Sequence, residues 1–180
     1  RIGIKVLKPN ILYSRRGFVV NKNNEIEYGL GAIKGVADMF IKHICETRNK
    51  FKFRDLWDFS KKVDIKLGGK KSLEALSQSG AFDSLSPSRS IAIACVEDML
   101  KDASIQNGQS NLKSGDLFAN FDESFDPYDK YKNIQELTLS EKLEFEKKSL
   151  GYYLSGHPVI AIDNKINKIR TNRLSELNTD

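Results

Sequence analysis

Twice in its first eighty residues this chain places a lysine-flanked glycine bend at the head of an apolar pattern with helical period. The first bend lies in Gly29-Leu30-Gly31-Ala32-Ile33-Lys34-Gly35-Val36-Ala37, and the second in Leu67-Gly68-Gly69-Lys70-Lys71. Glycine lets the backbone turn sharply, and the apolar steps of three and four residues that follow lie on one face of a helix. After the first bend these are Ile33, Val36, Met39, Phe40, Ile44 and Cys45, with a tight hairpin at Lys34-Gly35-Val36 interrupting the first turns, and after the second Leu73 and Leu76, closed by Gly80. Such a chain is predicted to be mainly α, built from short helices joined by tight turns.

The remaining elements follow from the same pattern. Phe18-Val19-Val20 and Glu25-Ile26-Glu27-Tyr28 flank an Asn-rich turn and predict one small β-hairpin near the N-terminus, the only sheet expected. Asp55–Phe59 predicts a short helix whose aromatic residues cap the core, and residues 88–104 a longer amphipathic one starting at Pro87 and Ser88. Residues 105–137 are dominated by polar residues and predict a mobile connection. Helical pattern resumes with an N-cap at Ser140 and runs to Gly151; a turn at Tyr152–Pro158 leads to a last helix near 160–170.

Charge divides the chain in the same place. Residues 1–111 carry 19 Lys/Arg against 12 Asp/Glu, net +7, and residues 112–180 carry 10 against 12, net −2. That asymmetry fits a first part that meets a polyanion. No apolar run approaches the roughly 18 residues of a membrane span, and no signal-peptide pattern is present, so a cytoplasmic protein with no membrane partner is expected. The chain starts at Arg1 without Met, which suggests a piece of a longer protein. Cys45 and Cys95 sit at apolar helical positions and are expected as buried free thiols.

A glycine bend opening a helix allows close approach of a phosphate to unpaired amides, and a neighbouring lysine adds attraction independent of base sequence. This is how helix-hairpin-helix modules hold duplex DNA: they position it without reading it. Gly31, Lys34, Gly35 and Val36, with Gly68, Gly69, Lys70 and Lys71, are therefore the candidate DNA-binding residues. The alternative is that these glycines only permit tight interhelical turns or C-caps. Ala37 stands where the helix-hairpin-helix pattern has its second glycine, and Lys70 follows the second glycine pair.

Other constellations lack the spacing of a catalytic or metal site. His43 and His157 have no Cys or carboxylate at ligand spacing, and His157 between Gly156 and Pro158 reads as a turn residue. Glu141, Glu144 and Glu146 alternate with lysines, as on a solvated helix face. Asp122, Glu123, Asp126 and Asp129 lack the glycine turn and terminal Glu of a calcium loop.

Four motifs in order, Gly3-Ile4-Lys5-Val6-Leu7, Tyr28 to Val36, Leu73-Glu74-Ala75-Leu76 with Ser79-Gly80-Ala81-Phe82-Asp83, and Glu146 to Pro158, strongly resemble the series in the bacterial replicative polymerase III alpha-subunit (DnaE) family. The resemblance covers about residues 1–160. It implies a helix-hairpin-helix domain with residues 1–28 as the end of the fingers and the β-hairpin, and 29–104 as the DNA-binding region. It further implies a linker with the clamp-binding peptide at 105–137, and helices at 138–180 leading to an OB domain beyond the chain. The implied parent enzyme is a DNA-directed DNA polymerase whose catalytic aspartates and PHP domain lie upstream, with Mg2+ expected there and no cofactor in this stretch. The implied partners are duplex DNA, the sliding clamp (beta subunit), and the rest of the polymerase chain and holoenzyme.

The family's clamp peptide is a glutamine-led pentamer ending in an aliphatic-phenylalanine pair. It corresponds to Ser114-Gly115-Asp116-Leu117-Phe118, where Leu117 and Phe118 fit and Ser114 replaces the glutamine. Many members have Asn-Lys-Arg where this chain has Gly69-Lys70-Lys71. Two further classes compete with the polymerase reading: a free-standing helix-hairpin-helix DNA-binding protein without enzymatic activity, and a protein-interaction adaptor docking through residues 88–104.

Overall fold

The computed structural model describes residues 3–108 and 126–159. Its architecture is mainly α: among the described residues six α-helices gather around one core, with a small sheet at the N-terminal side. The clamp-peptide position Ser114–Phe118, Asp122 and Glu123, and the helix expected near 160–170 lie outside the described residues.

The expected hairpin is present as β2 (Val19–Val20) and β3 (Ile26–Glu27), paired antiparallel with Val20 opposite Ile26. Asn21 builds its turn, since the Asn21 Oδ1 accepts the amides of Asn23 (2.9 Å) and Glu25 (3.0 Å). A third strand, β1 (Val6–Leu7), adds parallel to β3, giving the order β1-β3-β2. Two residues are too few to show a strand period, so the pairing that makes this segment a strand is invisible from the segment itself.

α1 spans Asp38–Lys50 and begins only after the expected interruption at Lys34-Gly35-Val36, with no helical turn of it before that interruption. Gly35 at φ +93° and extended Ala37 interrupt the path, and Ile33 closes a preceding 3-10 turn at Leu30–Ala32. The helix buries Phe40, Ile41, Ile44 and Thr47, whereas Met39 is 67% exposed and Cys45 only half-buried. The later helix start displaces Ile33 and Val36 from the stripe, and the buried face rotates away from Met39.

α2 (Leu56–Lys62) is capped by Asp55, whose carboxylate accepts the Asp58 amide at 2.8 Å. Its Phe59 stacks edge-to-face between Phe53 and Phe82, at 5.2 and 5.1 Å between centroids. α3 (Gly69–Ser79) is the central element, packed against each of the later helices and closed by left-handed Gly80.

The amphipathic stretch expected as one helix over 88–104 is two, α4 (Arg89–Ala94) and α5 (Val96–Gly108), separated at Cys95. Ser88 caps α4 as expected, accepting the Ile91 amide at 3.2 Å. The break keeps α4 on α3 while α5 also reaches α2, and no Gly or Pro marks it.

The segment beyond residue 125 is packed, contrary to a mobile connection reaching 137. Tyr131 is buried, with its hydroxyl donating to Asp98 on α5. The Tyr128 hydroxyl accepts the Leu56 amide (3.1 Å) and donates to the Leu85 carbonyl (3.2 Å). α6 (Leu139–Leu150) then starts from Thr138 rather than Ser140, through a capping box in which Thr138 Oγ1 accepts the Glu141 amide and Glu141 accepts the Thr138 amide.

Candidate nucleic-acid interface

The first bend is held from behind. The Lys34 amide donates to the Ser149 carbonyl near the end of α6 (2.8 Å), and the Val36 amide reaches back to Ile33 (3.4 Å). Ser72, buried on α3, receives the Ala37 amide (3.1 Å) and donates to the Gly35 carbonyl (3.3 Å). Because Ser72 follows Lys71 directly, this tie carries the second bend to the first. The aliphatic stem of Lys71 lies over Gly35, its Cε 3.4 Å from where a Cβ would stand.

The two bends therefore meet at one surface although they lie more than thirty residues apart in the chain. Lys34, Gly35 and Lys71 are exposed there. Neither lysine is ion-paired among the described residues. Neither α1 nor α3 has a side-chain cap on its N-terminal amides, since Ala37 and Gly68 cannot supply one. Gly69, at φ +62°, has nothing within 4 Å of its absent side chain and faces open space.

The other candidate residues have different tasks. Gly31 donates its amide to the Arg16 carbonyl (2.9 Å), and a Cβ on it would stand 2.8 Å from that oxygen, so its smallness lets two chain segments touch. Gly68 admits the ring of buried Phe40, which a Cβ would strike. Lys70 is tied to Glu97 at 2.6 Å, with Glu74 at 3.9 Å, and the bond to Glu97 raises its pKa. The Gly68-Gly69 bend follows only a single 3-10 turn at Ile65–Leu67. The turn that joins two helices, α3 to α4 through Gly80-Ala81-Phe82, is covered: all three residues are buried and the Ile11 amide donates to Ala81 (2.9 Å).

Asp38 opens α1 with a carboxylate and pairs with Arg16 at 2.6 Å. The bond to Asp38 raises the Arg16 pKa. At the other edge, the Lys34 ammonium lies 3.5 Å from the Cβ position of Gly151, and the Lys147 ammonium donates to the Gly151 carbonyl (3.1 Å). Both cations sit at the negative end of α6.

Glu146 corrects the expectation of a solvated face. It is fully buried and faces Arg89, itself buried, at 3.3 Å; Arg89 also clasps Asp83 at 2.6 Å. The Glu146 carboxylate further accepts the amides of Leu154 (2.7 Å) and Ser155 (2.8 Å) and the Ser155 hydroxyl. Burial alone pushes this carboxyl up, but the Ser155 and Leu154 hydrogen bonds and the Arg89 charge together hold it below the usual range. The partners are separated by 57 and 9 residues, which no local pattern reveals.

The same contacts join the separate sequence motifs. Arg89, Asp83 and Glu146 lock the Ser79–Asp83 motif to Glu146–Pro158, and the Tyr28 hydroxyl lies 3.2 Å from both the Ala32 and Leu150 carbonyls.

His43 Nε2 accepts the Asp64 amide (3.0 Å), and His157 Nδ1 accepts that of Val159 (3.3 Å), as a turn residue does. Asp126 caps Tyr128 and Asp129 pairs with Lys132. Among the described residues no three His, Cys, Asp or Glu side chains are grouped to hold a metal. Both cysteines are free; Cys95 is buried and burial pushes its thiol up to about 11. Among the described residues no helix is long and apolar enough to cross a membrane.

A family model described as the helix-hairpin-helix motif matches residues 3–92. The DNA polymerase III subunit alpha of Pseudomonas fluorescens is 34% identical over 94% of this chain and 16% of its own length. That of Vibrio cholerae is 36% identical over 97% of this chain and 15% of its own. That of Escherichia coli K12 is 37% identical over 88% of this chain and 14% of its own. The chain thus spans 14–16% of the length of these relatives. With bends, helices and interlocking motifs in this arrangement, the chain belongs to the helix-hairpin-helix motif family, as a homologue of one segment of bacterial DNA polymerase III alpha subunits.

Proposed function

We propose that this chain is the part of a DNA polymerase III alpha subunit that holds duplex DNA by its sugar-phosphate backbone without reading base sequence. The observation that carries this is the meeting of Lys34, Gly35 and Lys71 at one exposed surface, beside two helix N-termini without side-chain caps. Amides at a helix start and unpaired ammonium groups attract anions such as backbone phosphate without regard to base sequence. Of the eight candidate residues, Lys34, Gly35, Gly69 and Lys71 carry the contact; Gly31, Gly68 and Val36, whose amide is bonded to Ile33, shape the bends, and Lys70 is occupied by Glu97.

The whole protein would then be a cytoplasmic DNA-directed DNA polymerase, extending a primer at a Mg2+ site supplied by residues outside this chain. Ser114, Asp116, Leu117 and Phe118 would tether it to the sliding clamp, Leu117 and Phe118 entering an apolar pocket. A modest tether suffices, because the DNA contacts and the clamp act together through effective concentration.

The test is Lys34→Glu with Lys71→Glu in the full chain, titrated with short duplexes of unrelated sequence at several salt concentrations. Two lost phosphate contacts lower the salt slope by about 2 for every duplex alike. An unchanged slope refutes the assignment of the bends. For the tether, Leu117→Ala with Phe118→Ala should abolish pull-down by the clamp and leave duplex binding intact; retained capture places the clamp peptide elsewhere.

A further inference from the structure

A second cationic surface adjoins the first bend. A groove of about 660 Å3 runs along α1, with Asp38, Lys42, Glu46 and Asn49 on one side and Arg15 and Arg16 on the other. Its wall is joined to the 3-10 turn entering the bend, since the Arg15 carbonyl accepts the Leu30 amide (2.8 Å) and the Arg16 carbonyl that of Gly31 (2.9 Å). Arg48 builds the groove: its guanidinium donates to the carbonyls of Ile11 (2.8 Å) and Ser14 (3.0 Å), pinning the preceding segment against α1.

The charges in this groove are not equally committed. Arg48 spends donors on those carbonyls, and Arg16 is held by Asp38, but both members of that pair are exposed. Water screens an exposed pair of this kind, so a phosphate can displace Asp38 from Arg16. Arg15 and Lys42 are exposed and, among the described residues, paired with no carboxylate. Lys42 lies one helical turn beyond Asp38, on the helix whose first turn opens at the Gly35 bend.

We propose that this groove is a second backbone-phosphate site, in which Arg15 and Lys42 take phosphates of the duplex held at the bend, and Arg16 joins them when released from Asp38. The proposal rests on the duplex reading above. Continuity with the bend and an excess of cations over carboxylates favour a nucleic-acid backbone over an acidic peptide, whose carboxylates would have no reason to span both surfaces.

The experiment compares three full-chain variants by duplex titration against salt: Arg15→Gln with Lys42→Gln, Lys34→Gln with Lys71→Gln, and Asp38→Asn. Loss of the groove cations should lower the salt slope by about 2, and Asp38→Asn should steepen it by about 1 and tighten binding, a gain that misfolding cannot mimic. If the bend variant lowers the slope while the groove variant and Asp38→Asn leave it unchanged, the groove proposal is overturned and the bend reading stands. If the groove variant alone lowers it, the groove site is supported and the bend reading fails; if none moves it, both fall. Binding of a poly-glutamate peptide to the groove, tighter than duplex and lost in the groove variant, also overturns the proposal.

Discussion

Removing the Glu146 carboxylate tests the contact on which the downstream half of this fold depends. Glu146→Ala leaves Arg89, with a side chain only 3% exposed, facing an empty site, and deprives the amides of Leu154 and Ser155 of their acceptor. Breaking a buried ion pair from one side costs about 3–5 kcal/mol, because the surviving charge stays desolvated. Asp83 keeps its bonds to Arg89 at 2.6 and 3.0 Å, which places the expected loss toward the lower end.

Glu146→Gln retains an oxygen for the two amides, but turns its NH2 toward Arg89, and should cost about 1–3 kcal/mol. Urea unfolding followed by circular dichroism and by the single Trp57 measures both, through the midpoint at constant slope. The network is a latch for the Leu154–Ser155 turn, so amide exchange at those two residues should accelerate in Glu146→Ala more than exchange in α1. A loss below about 1 kcal/mol, or unchanged exchange at Leu154 and Ser155, refutes the reasoning.

Three other outcomes are expected. Gly68→Ala, which by chain entropy alone would stabilise, should instead cost about 1–3 kcal/mol through overlap with the Phe40 ring, read from the urea midpoint. Asp98, held down to about 2 first by the Lys130 hydrogen bond and then by Tyr131, lends stability that is full above the unfolded value of about 4 and is lost as pH falls through about 2. Asp98→Asn should flatten that part of the acid-unfolding curve. Lys70→Gln, removing a lysine already tied to Glu97, should change the duplex salt slope less than Lys71→Gln measured side by side.

Elements whose cause lies within a few residues were legible in the sequence. The hairpin turn at Asn21, the Asp55 helix, the Ser88 cap and the glycine closures at Gly80 and Gly151 all follow from adjacent side chains. The interruption at Lys34-Gly35-Val36 is legible from its glycine, but not that α1 begins only at Asp38, because apolar spacing continues through Ile33 and Val36. The Thr138 cap was missed in favour of Ser140, though the Thr138–Glu141 spacing carries the capping-box signal.

For the interface, residue types and glycine bends could be read along the chain, and so could the motifs of the family. Which lysines are free to meet a phosphate could not: Lys70 and Lys71 are neighbours in sequence, yet Glu97 on α5 claims one and the Gly35 bend leaves the other exposed. The same holds for Glu146, whose charge-rich surroundings resemble a solvated face until α3, α4 and the Ser155 turn close over it. Period, capping and turn chemistry act between neighbours and are written locally. Ion pairing and burial depend on residues that only the packed chain brings together, and these decided which charges hold the fold and which remain unpaired at the surface.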